Sequence, residues 1–263
     1  MDLWEDFQVF LAQKTHSSPD HGHAGWGERK IMIVGIHQPN YLPGISYFAK
    51  IWNSDIFIFL DSVQYTKGNW TNRNRIKTAQ GELMLTVPIL TKGRINQKVC
   101  EVQINLREQW LKKHIRGIQQ NYNKAPFYKG IMPILEELLD NHWQDLAKMN
   151  IALIKKICDV LGMQKTFFIS SDLGGDNLRS TELLIYLIET VGGNSYLSGA
   201  GGKKYMEIEK FPENGLGLYF LDYRPVSYRQ QLGDFIPNLS IIDLLFNEGP
   251  GALRLIRESV EIV

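Results

Sequence analysis

The sequence is poor in cysteine, in charge of one sign and in long apolar runs, and each shortage counts against a class of protein. Only Cys100 and Cys158 occur, with no CxxC pair and no local Cys/His cluster. That argues against a disulfide framework and against a structural zinc site. Lys and Arg number 29 against 28 Asp and Glu, so the formal net charge is +1. No global field draws such a chain to nucleic acid or to an anionic membrane, and any phosphate site would be a local pocket. No run approaches the ~18 apolar residues of a membrane span. The acidic start "MDLWEDF" is no signal peptide, so a cytoplasmic location is expected. There is also no G-x-S-x-G, no H-E-x-x-H and no G-x-G-x-x-G. Serine hydrolase, zinc protease and dinucleotide oxidoreductase all lose weight, and no metal ligand set is visible.

What is present is an ordinary globular composition, 44% hydrophobic and 22% charged over 263 residues, enough to bury a full core. Residues 1–30 stand apart: "THSSPDHGHAGWGERK" is polar, rich in Gly and Pro and without period, so a tail is expected there. Asp20, His21 and His23 in it lack a preorganising frame for a metal. The stretch 31–263 is expected to be one α/β unit. "KIMIVGI" reads as a strand buried on both faces, "GISYFAKIWNS" as an amphipathic helix and "DIFIFLDSV" as a second strand. Strand, helix and strand in so short a span make a βαβ unit, whose functional loops lie at the carboxyl ends of the strands.

Further on, "QYTKGNWTNRNRIKTAQGE" reads as a long polar loop, and "LMLTVPIL" and "VCEVQI" as strands. Helices are expected over 107–121, 130–141 and 142–161, a helical subregion of about 107–162 in which Cys158 is a small buried thiol and Gly162 a stop. "KTFFISSDL" reads as a strand, and "STELLIYLIETVGG" as a helix with a capping box at Ser180 or Thr181 and a Gly192-Gly193 stop. "SYLSGAGGKKYM" is a strand running into a loop, "GLYFLDY" a strand, and "SIIDLLFNEG" a helix capped by Ser240 with Asp243 at its third position. Alternating strands and helices predict a mostly parallel, Rossmann-like sheet flanked by helices.

Three stretches carry candidate chemistry. After the first strand, "GIHQPNYLPG" supplies His37, Gln38, Asn40 and Tyr41 in a turn that enters a helix, where unpaired N–H groups favour an anion. The prolines fix the corner. After the second strand, Asp61 is placed as a base or hydroxyl acceptor, and Gln64, Tyr65, Lys67, Trp70, Asn72, Arg73, Asn74 and Arg75 follow. Aromatic faces, amides and guanidinium forks together suit sugars and phosphates. Third, "SGAGGKKY" offers Ser198, Gly199, Gly201 and Gly202 as a backbone-amide cradle ending in Lys203 and Lys204. Its spacing is not that of a P-loop, and a lid is the other physical role. The stretch "RPVSYRQQLGDFIPN" reads as structure.

Taken together, "GIHQPNYLPGISYFAKI", "SDIFIFLDSVQYTKGNWTNRNRIKT", "YLSGAGGKKY" and "FIPNLSIIDLLFNEGP" closely resemble the WbqC-like protein family, over about Ile33 to Gly251. Members are encoded among genes for O-antigen and other surface polysaccharides, and glycine transfer to a sugar has been suggested for some. The resemblance therefore implies an enzyme of surface-glycan precursor synthesis. It would move an aminoacyl or acyl group onto the amine of a nucleotide-linked sugar, with a nucleotide or acyl donor as the implied co-substrate. His37, Asn40 and Asp61 would then be the catalytic set. The opening also resembles, distantly, nucleotidyltransferases with an HxGH motif. On either alignment of "GIHQP" at least one of the two histidines is missing: they fall on Tyr41 and Gly44, or the second falls on Asn40. A nucleotidyltransferase or ATP-dependent ligase, and a non-catalytic sugar-nucleotide-binding protein, stay open as alternatives.

Overall fold

The computed structural model describes residues 31–263; the tail expected over 1–30 lies outside the described residues. In chain order come strand β1 (Ile33–His37), helix α1 (Ile45–Trp52) and strand β2 (Ile56–Phe59). A hairpin follows, β3 (Arg73–Thr78) and β4 (Gly81–Thr86), and then helices α2 (Trp110–Tyr122), α3 (Tyr128–Leu139) and α4 (Leu146–Val160). The chain returns through β5 (Thr166–Ile169), α5 (Ser170–Leu173), α6 (Ser180–Thr190) and β6 (Ser195–Gly199). It finishes with α7 (Lys210–Glu213), β7 (Gly217–Tyr223), α8 (Ile241–Glu248), α9 (Ala252–Glu258) and β8 (Val260–Ile262).

The main sheet has the order β5-β2-β1-β6-β7-β8, parallel except for the last pair. Its central strands β1 and β2 are buried on both faces, as their apolar runs require. Phe57 and Phe59 of β2 join one core with α1, α2, α3, α4, α8 and α9, whereas Ile56 and Ile58 alternate into a second core with α6 and Phe211. The expected α/β class and mostly parallel sheet are what the chain forms.

The middle helices start and stop within about four residues of the expected bounds, inside the usual uncertainty of helix ends. Gly162 and Gly192 both take positive φ, as C-terminal stops do. The Ser240 side chain accepts a hydrogen bond from the Ile242 amide, so that cap is also formed.

Four local expectations fail. The strand read across "KTFFISSDL" ends at Ile169, and Ser170–Leu173 is helical because Asp61 accepts the Ser171 amide and both serine hydroxyls. "VCEVQI" is not a strand: Val99–Glu101 is a single 3-10 turn, and Gln103 and Ile104 form only isolated bridges. The end of the polar loop, Arg73–Thr78, is instead strand β3, whose buried Asn74, Ile76 and Lys77 disguise it. No capping box opens α6. Its N-cap is Arg179, the Ser180 hydroxyl donates to the Tyr205 carbonyl, and Thr181 accepts from the Glu207 amide. Those side chains are used to hold the segment after β6 rather than to cap their own helix.

Candidate active-site cleft

In the sheet, the chain leaves β1 toward β2 on one side, while β6 and β7 lie on the other. The order thus reverses between β1 and β6, and ligands of open α/β sheets bind outside the carboxyl ends of the strands at such a point. A cleft of about 510 Å³ opens there. Its floor is His37, Gly199, Leu221, Asp222 and Tyr223, and its walls are the first turn of α1, Lys50, Trp70, Asn74 and Arg75.

His37 is the last residue of β1, so strand pairing with β2 fixes its backbone. Its Nδ1 lies 3.0 Å from the Gln38 carbonyl, which can only accept, so Nδ1 carries the proton and Nε2 keeps a lone pair. Tyr47 of α1 stands edge-on to the imidazole at 4.8 Å between centroids and donates to the same Gln38 carbonyl at 3.1 Å. Burial, and then the charge of Lys50, lower the His37 pKa to about 4. The ring is therefore neutral at pH 7.

Lys50 is the residue that sequence reasoning missed. It is only 4% exposed, donates to the Ile36 carbonyl at 2.7 Å and stands 5.3 Å from the centroid of the Tyr196 ring. Burial lowers its pKa to about 7. The available signal was its place three residues after Tyr47, on the helix face that Tyr47 presents to His37. Asp222, at the end of β7, was missed too, because nothing in "GLYFLDY" distinguishes a rim carboxylate from a surface one; it pairs with Arg224 at 2.8 Å.

Of the residues singled out from the sequence, the cleft gathers His37, Asn40, Trp70, Asn74, Arg75 and Gly199. The Arg75 guanidinium lies 5.2 Å from the centroid of the Trp70 ring, grips Glu82 through two bonds and donates to the Asn238 carbonyl. Its Nε is buried without a partner. Asn74 donates to the carbonyls of Tyr41 and Leu42 and so fixes the turn that carries Asn40.

Others stand behind the cleft. Gln38 accepts from Thr71, the Tyr41 hydroxyl donates to His114, and Tyr65 donates to Asn72, whose amide donates to the Val87 carbonyl. Asp61 is buried, bonded to Ser170 and Ser171, and does not line the cleft. Gln64 bonds to Asn96 on the surface, Lys67 is exposed, and Arg73 lies next to Gly68. In the glycine stretch, Ser198 donates to the Gly199 carbonyl, and a Cβ on Gly202 would fall 2.2 Å from the Ser198 hydroxyl. Gly201, Lys203 and Lys204 are exposed, with Lys203 over the Phe220 ring at 4.3 Å.

The buried Asp243 does not face this cleft. It accepts from Tyr122 at 2.7 Å and Tyr228 at 2.8 Å, and Lys77 binds Gln230 nearby. That network holds the 224–240 segment against the hairpin. Among the described residues no cluster of His, Cys, Asp and Glu could hold a metal ion, and no helix is long and apolar enough to cross a membrane.

No solved structure matches the chain. A relative in Mycobacterium tuberculosis, Uncharacterized protein Rv1507c, is 37% identical over 230 residues, covering 86% of this chain and 99% of its own. The model of the WbqC-like protein family matches residues 38–255, which include all of the cleft except His37. With the family motifs spanning the turn after β1, the hairpin and the cleft rim, the chain belongs to the WbqC-like protein family.

Proposed function

We propose that this protein is a transferase of surface-glycan precursor synthesis, moving an aminoacyl or acyl group to the amine of a nucleotide-linked amino sugar. The observation that carries the reading is His37: a neutral imidazole with a free Nε2, fixed at the switch point of the sheet, beside an aromatic–guanidinium pair. Acyl transfer to an amine needs a base for the N–H proton and donors for the developing oxyanion. His37 Nε2 takes the proton as the amine attacks. The Asn40 amide and the first-turn N–H groups of α1 face the oxygen that gains charge. Trp70 stacks on a flat ring, and Arg75 binds an anionic group of the same substrate. Asp61 acts from behind, through the serines that hold the end of β2 in place, and Lys203 and Lys204 meet phosphates from the exposed side of the rim.

The direct test is His37→Ala, expected to lower turnover by about 10²–10⁴-fold, the usual worth of a positioned base, with an unchanged unfolding midpoint. Turnover near that of the wild type would remove His37 from the mechanism. Substrates are found first by thermal shift with acyl-CoA thioesters, nucleotide amino sugars and ATP–magnesium. A ligand at a hundred times its Kd adds about 2.7 kcal/mol.

One observation favours a second reading. The first turn of α1, at Gly44, Ile45 and Ser46, lines the cleft as a phosphate-binding helix start does. Stabilisation by ATP–magnesium alone, with release of pyrophosphate, would put nucleotidyl transfer first. Stabilisation by a nucleotide sugar without turnover under any donor would make the protein a binding partner.

A further inference from the structure

His37 and Lys50 come from different elements yet meet at one place. His37 ends β1, and the Lys50 ammonium of α1 is bonded to the carbonyl of Ile36, the residue just before it. Both line the same cleft. Burial lowers the pKa of both groups together, His37 to about 4 and Lys50 to about 7, and leaves an unprotonated base beside a protonated acid at one place in the cleft. The charge on Lys50 opposes protonation of His37, so the pair settles with the proton on the lysine and the lone pair on the imidazole.

Resting on the acyl-transfer reading above, we infer that Lys50 is the general acid of the cleft, the proton-donating partner of His37. With a thioester donor the step balances as follows. The acceptor amine forms the N–C bond, its N–H proton passes to His37 Nε2, the C–S bond breaks, and the Lys50 ammonium gives its proton to the departing thiolate. The products are the amide and the free thiol. His37 is left protonated and Lys50 neutral, and a proton returning from the imidazolium to the amine resets the pair.

The bland alternative is that Lys50 only braces the Ile36 carbonyl. Burial alone does not decide, since a bracing lysine is buried as well. What separates the two is place: the Lys50 side chain lines the cleft with His37 and is held at the residue before it, and burial there lowers its pKa to about 7. The Lys50 ammonium stands over the Tyr196 ring of β6, and the titratable and charged groups that line the cleft with it are His37 from β1, Tyr47 from its own helix, Asp222 and Tyr223 from β7, and Arg75 from β3. Asp222 is committed to Arg224.

The experiment joins a titration with a pH profile. Lys50 in the full chain is followed by NMR after reductive dimethylation with ¹³C-formaldehyde, its signal assigned by its loss in Lys50→Arg. A midpoint near 7 is expected; a midpoint above 9 overturns the assignment whatever reaction the protein catalyses. For turnover, kcat of the wild type is expected to fall as pH rises through 7. Lys50→Arg keeps the charge but cannot release a proton at these pH values, so it should lose at least a hundredfold in kcat with KM within a few-fold. Lys50→Arg retaining kcat, or an alkaline limb unchanged in Lys50→Arg and Lys50→Met, overturns the proposal while leaving acyl transfer standing. If no thioester and amino sugar react at all, the acyl-transfer reading falls, and the acid role with it even where the titration midpoint is near 7.

Discussion

The Asn150 side chain, on α4, donates a 2.8 Å hydrogen bond to the carbonyl of Pro39, 111 positions earlier in the chain. The same amide donates to the Thr71 carbonyl at 2.7 Å. One fully buried asparagine thus clamps the turn that carries Asn40 to the segment that carries Trp70. Asn150→Ala leaves two buried carbonyls without donors, at about 1–3 kcal/mol each. The expected loss is roughly 2–6 kcal/mol of unfolding free energy by urea titration, and ligand affinity should fall further at temperatures where the variant stays folded. A loss below about 1 kcal/mol would mean that water replaces the amide without cost.

His114 makes stability depend on pH. Its Nδ1 accepts from the Tyr41 hydroxyl at 3.0 Å, and burial lowers its pKa from 6.5 to about 4. Between those values the unfolded chain binds a proton that the folded chain does not, so stability rises with pH across that window and is lost as pH falls through it. From pH 7 to pH 5 the expected loss through His114 is about 2 kcal/mol. In His114→Gln, which can still accept from Tyr41, denaturation midpoints at the two pH values should lie closer together. An unchanged gap would assign the dependence to other groups.

Trp70 separates binding from folding. It is 44% exposed, with Arg75 over its ring. Trp70→Leu keeps an apolar side chain on the packed part of the site but removes the aromatic face, so its unfolding midpoint should move little. A stacked ring contributes about 1–3 kcal/mol, and titration calorimetry should show the proposed ligand, a nucleotide amino sugar, bound roughly ten- to a hundredfold more weakly. Equal affinity in the variant would place the substrate ring elsewhere in the cleft.

Much of this arrangement was legible in the chain. The apolar runs of β1 and β2, and the amphipathic α1 between them, carry the βαβ opening in their pattern, and the prolines mark the corner after His37. The polar turn residues likewise announced a rim. Strand β3 was hidden because its buried positions include Asn74 and Lys77, polar side chains that tertiary partners satisfy and that no periodicity rule counts as core. Asp61 lies behind the cleft and Lys50 lines it for one reason. A side chain's exposure and partners are set by what the distant chain lays against it.

Local order of strands and helices, the parallel sheet and the corner at His37 follow from the sequence itself, since backbone preference and apolar period act over a few residues. Which of its polar residues share a cleft was decided by the tertiary fold. Reversal of strand order between β1 and β6 brings Lys50, Asp222 and Arg75 to His37 from positions far apart in the chain, and the hydrogen bonds of Ser170 and Ser171 draw Asp61 away from it. Those juxtapositions rest on long-range packing and on the desolvation it imposes, which no short stretch of sequence encodes.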